Sequence, residues 1–154
     1  MKKSIATIIL SSILITSCYT SKTTTMDITD KKKANTLKGN LIDGTWEANY
    51  IMNTPKAFGE LYLRVKPSIT INSYENRIGG VTGCNNFTGK CTIDGNKIMI
   101  ADALAATRKM CPDMAGEQLF LETLKKVNAY SVTNQGKTLN LIMGDIAVMR
   151  LERK

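Results

Sequence analysis

From Leu41 to the C-terminus the chain is broken by turn residues at short intervals, and between the turns apolar residues alternate with polar ones. That alternation marks half-buried strands, because successive side chains of an extended chain point to opposite faces. In "GTWEANYIM", Trp46, Ala48 and Tyr50 alternate with Thr45, Glu47 and Asn49. The stretch "ELYLRVK" repeats the pattern, with Leu61, Leu63 and Val65 on one face, and Pro67 ends it. "SITINSY" and "NRIGGVTG" follow, the second interrupted at Gly79-Gly80, where a bulge or a close backbone approach is expected. "KCTIDGNKIMIA" is a hairpin around Asp94-Gly95-Asn96, since Asp-Gly supplies the positive φ values that a tight turn demands. "AYSVTNQGKTLNLIM" is another, turning at Asn134-Gln135-Gly136, and "DIAVMRLER" is a closing strand.

Only one segment has a helical period. In "PDMAGEQLFLETLKKVNAY" the apolar Phe120, Leu121, Leu124 and Val127 fall at helical spacing, while Glu117, Glu122, Lys125 and Lys126 face the other way. Pro112 and Asp113 suit the start of this helix, and Lys125 and Lys126 suit the negative end of its dipole. It is expected to lie on the sheet with Leu121 and Leu124 inward. The fold class that follows is mainly β: an antiparallel curled sheet or small barrel of about eight strands with one packed amphipathic helix. The opening Gly44-Thr45-Trp46 is similar to the Gly-x-Trp of lipocalin-like barrels, where the Trp plugs one end and an Arg from a late strand covers it; Arg150 is the candidate cover.

The N-terminal residues "MKKSIATIILSSILITS" combine Lys2 and Lys3 with an apolar run, so residues 1–17 read as a secretory signal peptide. The run is too short to make a convincing spanning helix. It ends in "ITSC", which resembles the lipobox of bacterial lipoproteins and marks Cys18 as the expected lipidation site and new N-terminus. Acyl chains there make the membrane a partner, since each buried methylene contributes ~0.8 kcal/mol and more than one chain holds stably. Tyr19 is not the Asp that retains some lipoproteins at the inner membrane, so the expected location is a bacterial cell envelope, at the outer membrane. Residues 18–40, rich in Thr, Lys and Asn, read as a flexible tether, and the folded domain as 41–154. Much of the formal charge of +8 sits in the signal peptide and in the tether lysines 22, 31, 32, 33 and 38. The domain itself shows no basic stripe interleaved with aromatics, and no nucleic-acid partner is expected.

Chemistry in the domain centres on Cys84, Cys91 and Cys111, in a chain without histidine. Zinc ligands usually come in close pairs with further Cys or His, a spacing absent here, so no metal site is expected. Cuprous copper would accept Cys with Met110 or Met114, but methionines in a β-rich chain are more economically core filling. No imidazole is present to activate a thiol, no Cys-x-x-Cys offers thiol exchange, and Gly79, Gly80 and Gly83 precede no helix that would cradle phosphate. The expectation is a protein that is not an enzyme, with no catalytic residue and no cofactor. Exported thiols oxidise. Cys84 with Cys91 would close a small loop, and Cys84 with Cys111 a larger one that constrains the unfolded chain more; spacing favours the second only slightly.

In order along the chain, "GCNNFTG", "IDGNKI", "TRKMCPDM" leading into "EQLFLETLKKV", and a late "GKTLNL" resemble the META domain, the family of HslJ-like heat-shock lipoproteins, over Leu41 to Glu152. The resemblance implies a small antiparallel barrel-like domain with one helix, exported and often lipid-anchored. It also implies a disulfide between Cys84 and Cys111. Cys91 departs from the family pattern, which commonly has an aromatic there, and is read as a buried small hydrophobe. The family carries over no catalytic activity; its links to heat shock, drug tolerance, motility and virulence are phenotypes. The expected role is therefore a binding or interaction module of the envelope, presenting Asn85, Asn86, Phe87 and Arg108 on disulfide-pinned loops to an envelope protein or ligand. The alternatives are a carrier of a small hydrophobic ligand inside the barrel and an inhibitor of a secreted hydrolase using the same loops.

Overall fold

The computed structural model describes residues 40–111 and 114–154. The expected signal peptide, Cys18, nearly all of the tether, and Pro112 and Asp113 lie outside the described residues. The elements are β1 (Gly44–Ile51), α1 (Phe58–Leu61), β2 (Ser68–Asn72), β3 (Arg77–Val81), β4 (Asn86–Asp94), β5 (Lys97–Ile100), β6 (Ala105–Ala106), α2 (Ala115–Lys125), β7 (Ala129–Thr133), β8 (Thr138–Met143) and β9 (Ile146–Arg153). The strands form a 9-stranded sheet in the order β3-β2-β1-β9-β8-β7-β5-β4-β6, and β3 also pairs with β4, so the curled sheet closes on itself. Every pairing is antiparallel, as the short connections require. The thinnest seam is β5 to β7, with the single register pair Lys97↔Ala129.

The interior is occupied by large side chains at or below 2% exposure, among them Trp46, Ile69, Ile71, Ile98, Leu139, Leu141 and Met149. Helix α2 adds a stripe of Gly116, Phe120 and Leu124. Phe120 meets Phe87 edge-on with ring centroids 5.7 Å apart. Burying a side chain of this size stabilises the fold by roughly 1.5–3 kcal/mol. Leu121 is only partly buried, so the inward pair is Phe120 and Leu124, not Leu121 and Leu124. The reason is angular: positions 116, 120 and 124 repeat every four residues along one stripe, and Leu121 sits a further 100° round. At Gly116 an added Cβ would lie 2.9 Å from Tyr62 Cε1, so glycine permits the close approach in which Tyr62 Oη donates to the Gly116 carbonyl at 2.7 Å.

Three local expectations need correction. "ELYLRVK" forms no strand: Phe58–Leu61 is a helical turn, Leu61 and Tyr62 are both buried, and Leu63 is 83% exposed. Both edges of β1 are already taken, by β2 and by β9, and the segment instead packs Tyr62 under α2. Tyr50 does not follow Trp46 and Ala48 inward, because the β1–β9 register shifts between Ala48 and Tyr50 and places Ile51 inside instead. The same pairing decides which arginine covers the tryptophan. Trp46 lies opposite Arg153, whose guanidinium carbon is 4.1 Å from its ring centre, whereas Arg150 lies opposite Tyr50, at 5.5 Å from that ring. Arg153 also donates to the carbonyls of Leu41 (2.6 Å), Asp43 (2.9 Å) and Gly136 (2.8 Å), and Trp46 Nε1 donates to that of Ile42 (2.7 Å). The glycine expectations hold: a Cβ on Gly80 would overlap the Ser68 carbonyl on β2, and Gly95 turns its hairpin at φ 59°.

Candidate functional site

The connection from β3 to β4 is a bend closed by Thr82 and Asn85. The Thr82 N–H and hydroxyl donate to the Asn85 carbonyl at 2.8 and 3.0 Å, and the Asn85 N–H donates to the Thr82 hydroxyl oxygen at 3.1 Å. This bend aims the Asn85 side chain away from the strand and into the protein, where the residue is fully buried. Its Oδ1 accepts from the Lys109 N–H at 2.7 Å and from the Thr107 hydroxyl at 2.8 Å. Its Nδ2 donates to Glu117 Oε2 at 2.8 Å and to the Lys109 carbonyl at 3.3 Å, with Cys111 Sγ 3.7 Å away. Since a backbone N–H can only donate, the amide orientation is set by Lys109.

Around this hub the segment 105–111 is strapped down three ways. β6 pairs with β4 at Phe87↔Ala106 and Thr88↔Ala105. The Thr107 hydroxyl accepts from the Asn86 N–H at 3.1 Å, and the Thr107 N–H donates to the Asn86 carbonyl at 2.9 Å. Finally, Cys84 and Cys111 form a disulfide across a Cα–Cα distance of 6.4 Å, the pairing implied by the resemblance. The strap therefore ties β4, the bend and the start of α2 into one unit.

An open depression of about 460 Å³ lies against the strap, lined by Asn85, Thr107, Arg108, Lys109, Met110, Cys111, Met114 and Glu117. A second, of about 330 Å³, shares Met114 and Glu117 and continues along α2 past Gln118 and Leu121. Met110 is completely exposed and Met114 is 50% exposed. Beside them the two cysteine sulfurs and a Glu117 carboxylate oxygen lie within 4.8 Å of one another.

The four residues expected on the surface divide. Asn86 and Arg108 are exposed, but Asn85 is buried and Phe87 is a core residue at 4% exposure. The cause is strand parity: the bend covers 82–85, β4 starts at Asn86, and Phe87 and Cys91 then share the inward face. Sequence reasoning missed Thr107, Lys109 and Glu117, which hold Asn85, and took Met110 and Met114 as core filling. The available signal was the Asn beside Cys84, a residue type suited to binding local backbone in turns.

Among the described residues Cys91 is the free cysteine, 1% exposed. Burial, and then the Asp43 carboxylate, push its thiol up from 9.0 to about 11. Unfolding lets the thiol ionise at its ordinary value, so between about pH 9 and 11 the unfolded chain holds fewer protons and stability falls as pH rises. Alkaline unfolding curves of the protein and of Cys91→Ala are expected to differ in slope across that window, and thiol reagents at pH 8 to label Cys91 only after denaturation. Rapid labelling of the folded protein would contradict the burial.

A family model described as the META domain matches residues 39–154. No curated protein matches the chain at a significant level. Among solved structures, an NMR structure of a protein from Burkholderia xenovorans is similar with a TM-score of 0.59 and 19% identity, over 79% of this chain and 87% of that one. A second NMR structure matches with a TM-score of 0.51 and 18% identity, over 71% of this chain and 87% of the other. At these identities the two structures speak to the fold.

Proposed function

The chain belongs to the META domain family, and from that premise we propose that it is a non-enzymatic interaction module of the bacterial cell envelope, anchored at the outer membrane by lipid on Cys18 and acting in envelope stress or drug tolerance. One observation carries the reading. Met110 stands exposed beside Arg108 on a segment held by a disulfide and by the Asn85 hydrogen bonds, and Met114, at the start of α2, is half-exposed in the same depression. Methionine is adaptable on binding surfaces, and a backbone already fixed loses little entropy when a partner docks. A hydrolase inhibitor would use the same surface. The carrier alternative needs an apolar cavity of several hundred cubic ångströms, whereas here large core side chains occupy the interior.

Affinity capture from the native envelope tests this. Changing Arg108 and Met110 together to Ala is expected to reduce the recovered partner by about tenfold or more while the thermal transition stays in place. Unchanged recovery would remove the strap surface from consideration. In the same cells Cys18→Ala is expected to release the chain from the membrane fraction, and retention there would contradict the anchor.

A further inference from the structure

We propose that the strap holds a second, metal-binding state: with the disulfide reduced, Cys84, Cys111 and Glu117 bind one thiophilic divalent cation of the Zn²⁺ type, and the disulfide and the metal exclude each other. The disulfide itself brings the two sulfurs together, and a Glu117 carboxylate oxygen lies within 4.8 Å of both. Ligand bonds of about 2.3 Å to sulfur and 2.0 Å to oxygen put tetrahedral donors roughly 3.5–3.8 Å apart, so once the bond is broken the two sulfurs need only separate to that spacing to seat the ion. Asn85 serves as the supporting partner. Its Nδ2 holds Glu117 Oε2, leaving the other carboxylate oxygen for the cation, and its Oδ1 accepts from the Lys109 N–H and the Thr107 hydroxyl, which adds a hold on the strap besides the bridge. Entry is through the open depression, which leaves the fourth position to water. Two thiolates and a carboxylate exceed the charge of the ion by one, and Arg108 and Lys109 line the same depression. The mixed sulfur and oxygen set favours Zn²⁺ over cuprous copper, which prefers sulfur alone.

The electron balance is simple. A dithiol reductant gives two electrons and two protons, becoming a disulfide itself, while the Cys84–Cys111 bond breaks to two thiols. The cation then displaces both thiol protons to solvent as the two metal–sulfur bonds form. A disulfide oxidant reverses this: it takes two electrons from the two thiolates and two protons from solvent, becoming a dithiol, while the Cys84–Cys111 bond re-forms and the ion leaves to water. None of it depends on the interaction reading, and no partner is needed to observe it.

The test uses the full chain carrying Cys91→Ala, reduced with a water-soluble phosphine and titrated with Co²⁺ and then Zn²⁺. The expected result is one Co²⁺ per chain with a sulfur-to-cobalt charge-transfer band, displaced by Zn²⁺ and absent from the oxidised protein. Glu117→Gln is expected to weaken binding by about tenfold or more. Absence of the band, two chains per ion, or an affinity indifferent to Glu117→Gln would overturn the proposal. Circular dichroism covers the case in which reduction loosens the fold: recovery of the native spectrum on adding Zn²⁺ supports the site, and no recovery counts against it.

Discussion

Asn85→Ala is expected to lower the stability of the domain by about 3 kcal/mol. The side chain makes four hydrogen bonds of 3.3 Å or less, one of them to the Glu117 carboxylate. Neutral bonds contribute roughly 1 kcal/mol each and those to charged groups about 1.5–3 kcal/mol, but water at the exposed strap replaces part of what is lost. Urea unfolding should show a lower midpoint with an unchanged slope, because the surface exposed on unfolding is the same. Hydrogen exchange should locate the effect, with the Lys109 amide losing protection before amides in β8 and β9. A loss under about 1 kcal/mol would mean that the β6 pairing, the Thr107–Asn86 bonds and the disulfide hold the strap without Asn85.

Replacing Cys84 and Cys111 together with Ala is expected to cost about 3–4 kcal/mol, the chain-entropy value for a bridge spanning 27 residues. The barrel should survive it, because closure runs through the five register pairs of β3 with β4 and not through the bridge. Reducing the natural protein should reproduce most of the loss, since Cys91 is buried on β4 and unpaired. Combined with Asn85→Ala, the loss should fall short of additive by about 1 kcal/mol, because both changes free the same segment. Strict additivity would show that bend and bridge act independently.

Much of this was legible in the sequence for local reasons. Alternation along "SITIN" and "KIMI" predicts strands, and both form with every second residue buried. Asp94-Gly95 is a hairpin because its backbone needs are met by two neighbouring residues, and α2 forms because its apolar spacing matches a turn of helix. Where a residue's fate was decided by a distant neighbour, the same reasoning failed. "ELYLRVK" alternates as well as any strand here, but no free edge of β1 remained to pair with it. Phe87 was expected on a disulfide-pinned loop surface; its parity with Cys91 on β4 puts it in the core.

By itself, then, the sequence determined most of the element types, the antiparallel class and the one long helix, because each is set by residues close together in the chain, and through its ordered motifs it pointed to the family. Tertiary structure alone decided which arginine covers Trp46, which of the two asparagines is buried, and that Glu117 meets both Asn85 and the disulfide. Those outcomes depend on strand register and on contacts between residues more than 20 positions apart, and a single bulge between Ala48 and Tyr50 is enough to change a side chain's face. The physical reason is the sheet's two-residue period: one residue of slip leaves composition and pattern unchanged and reverses what is inside.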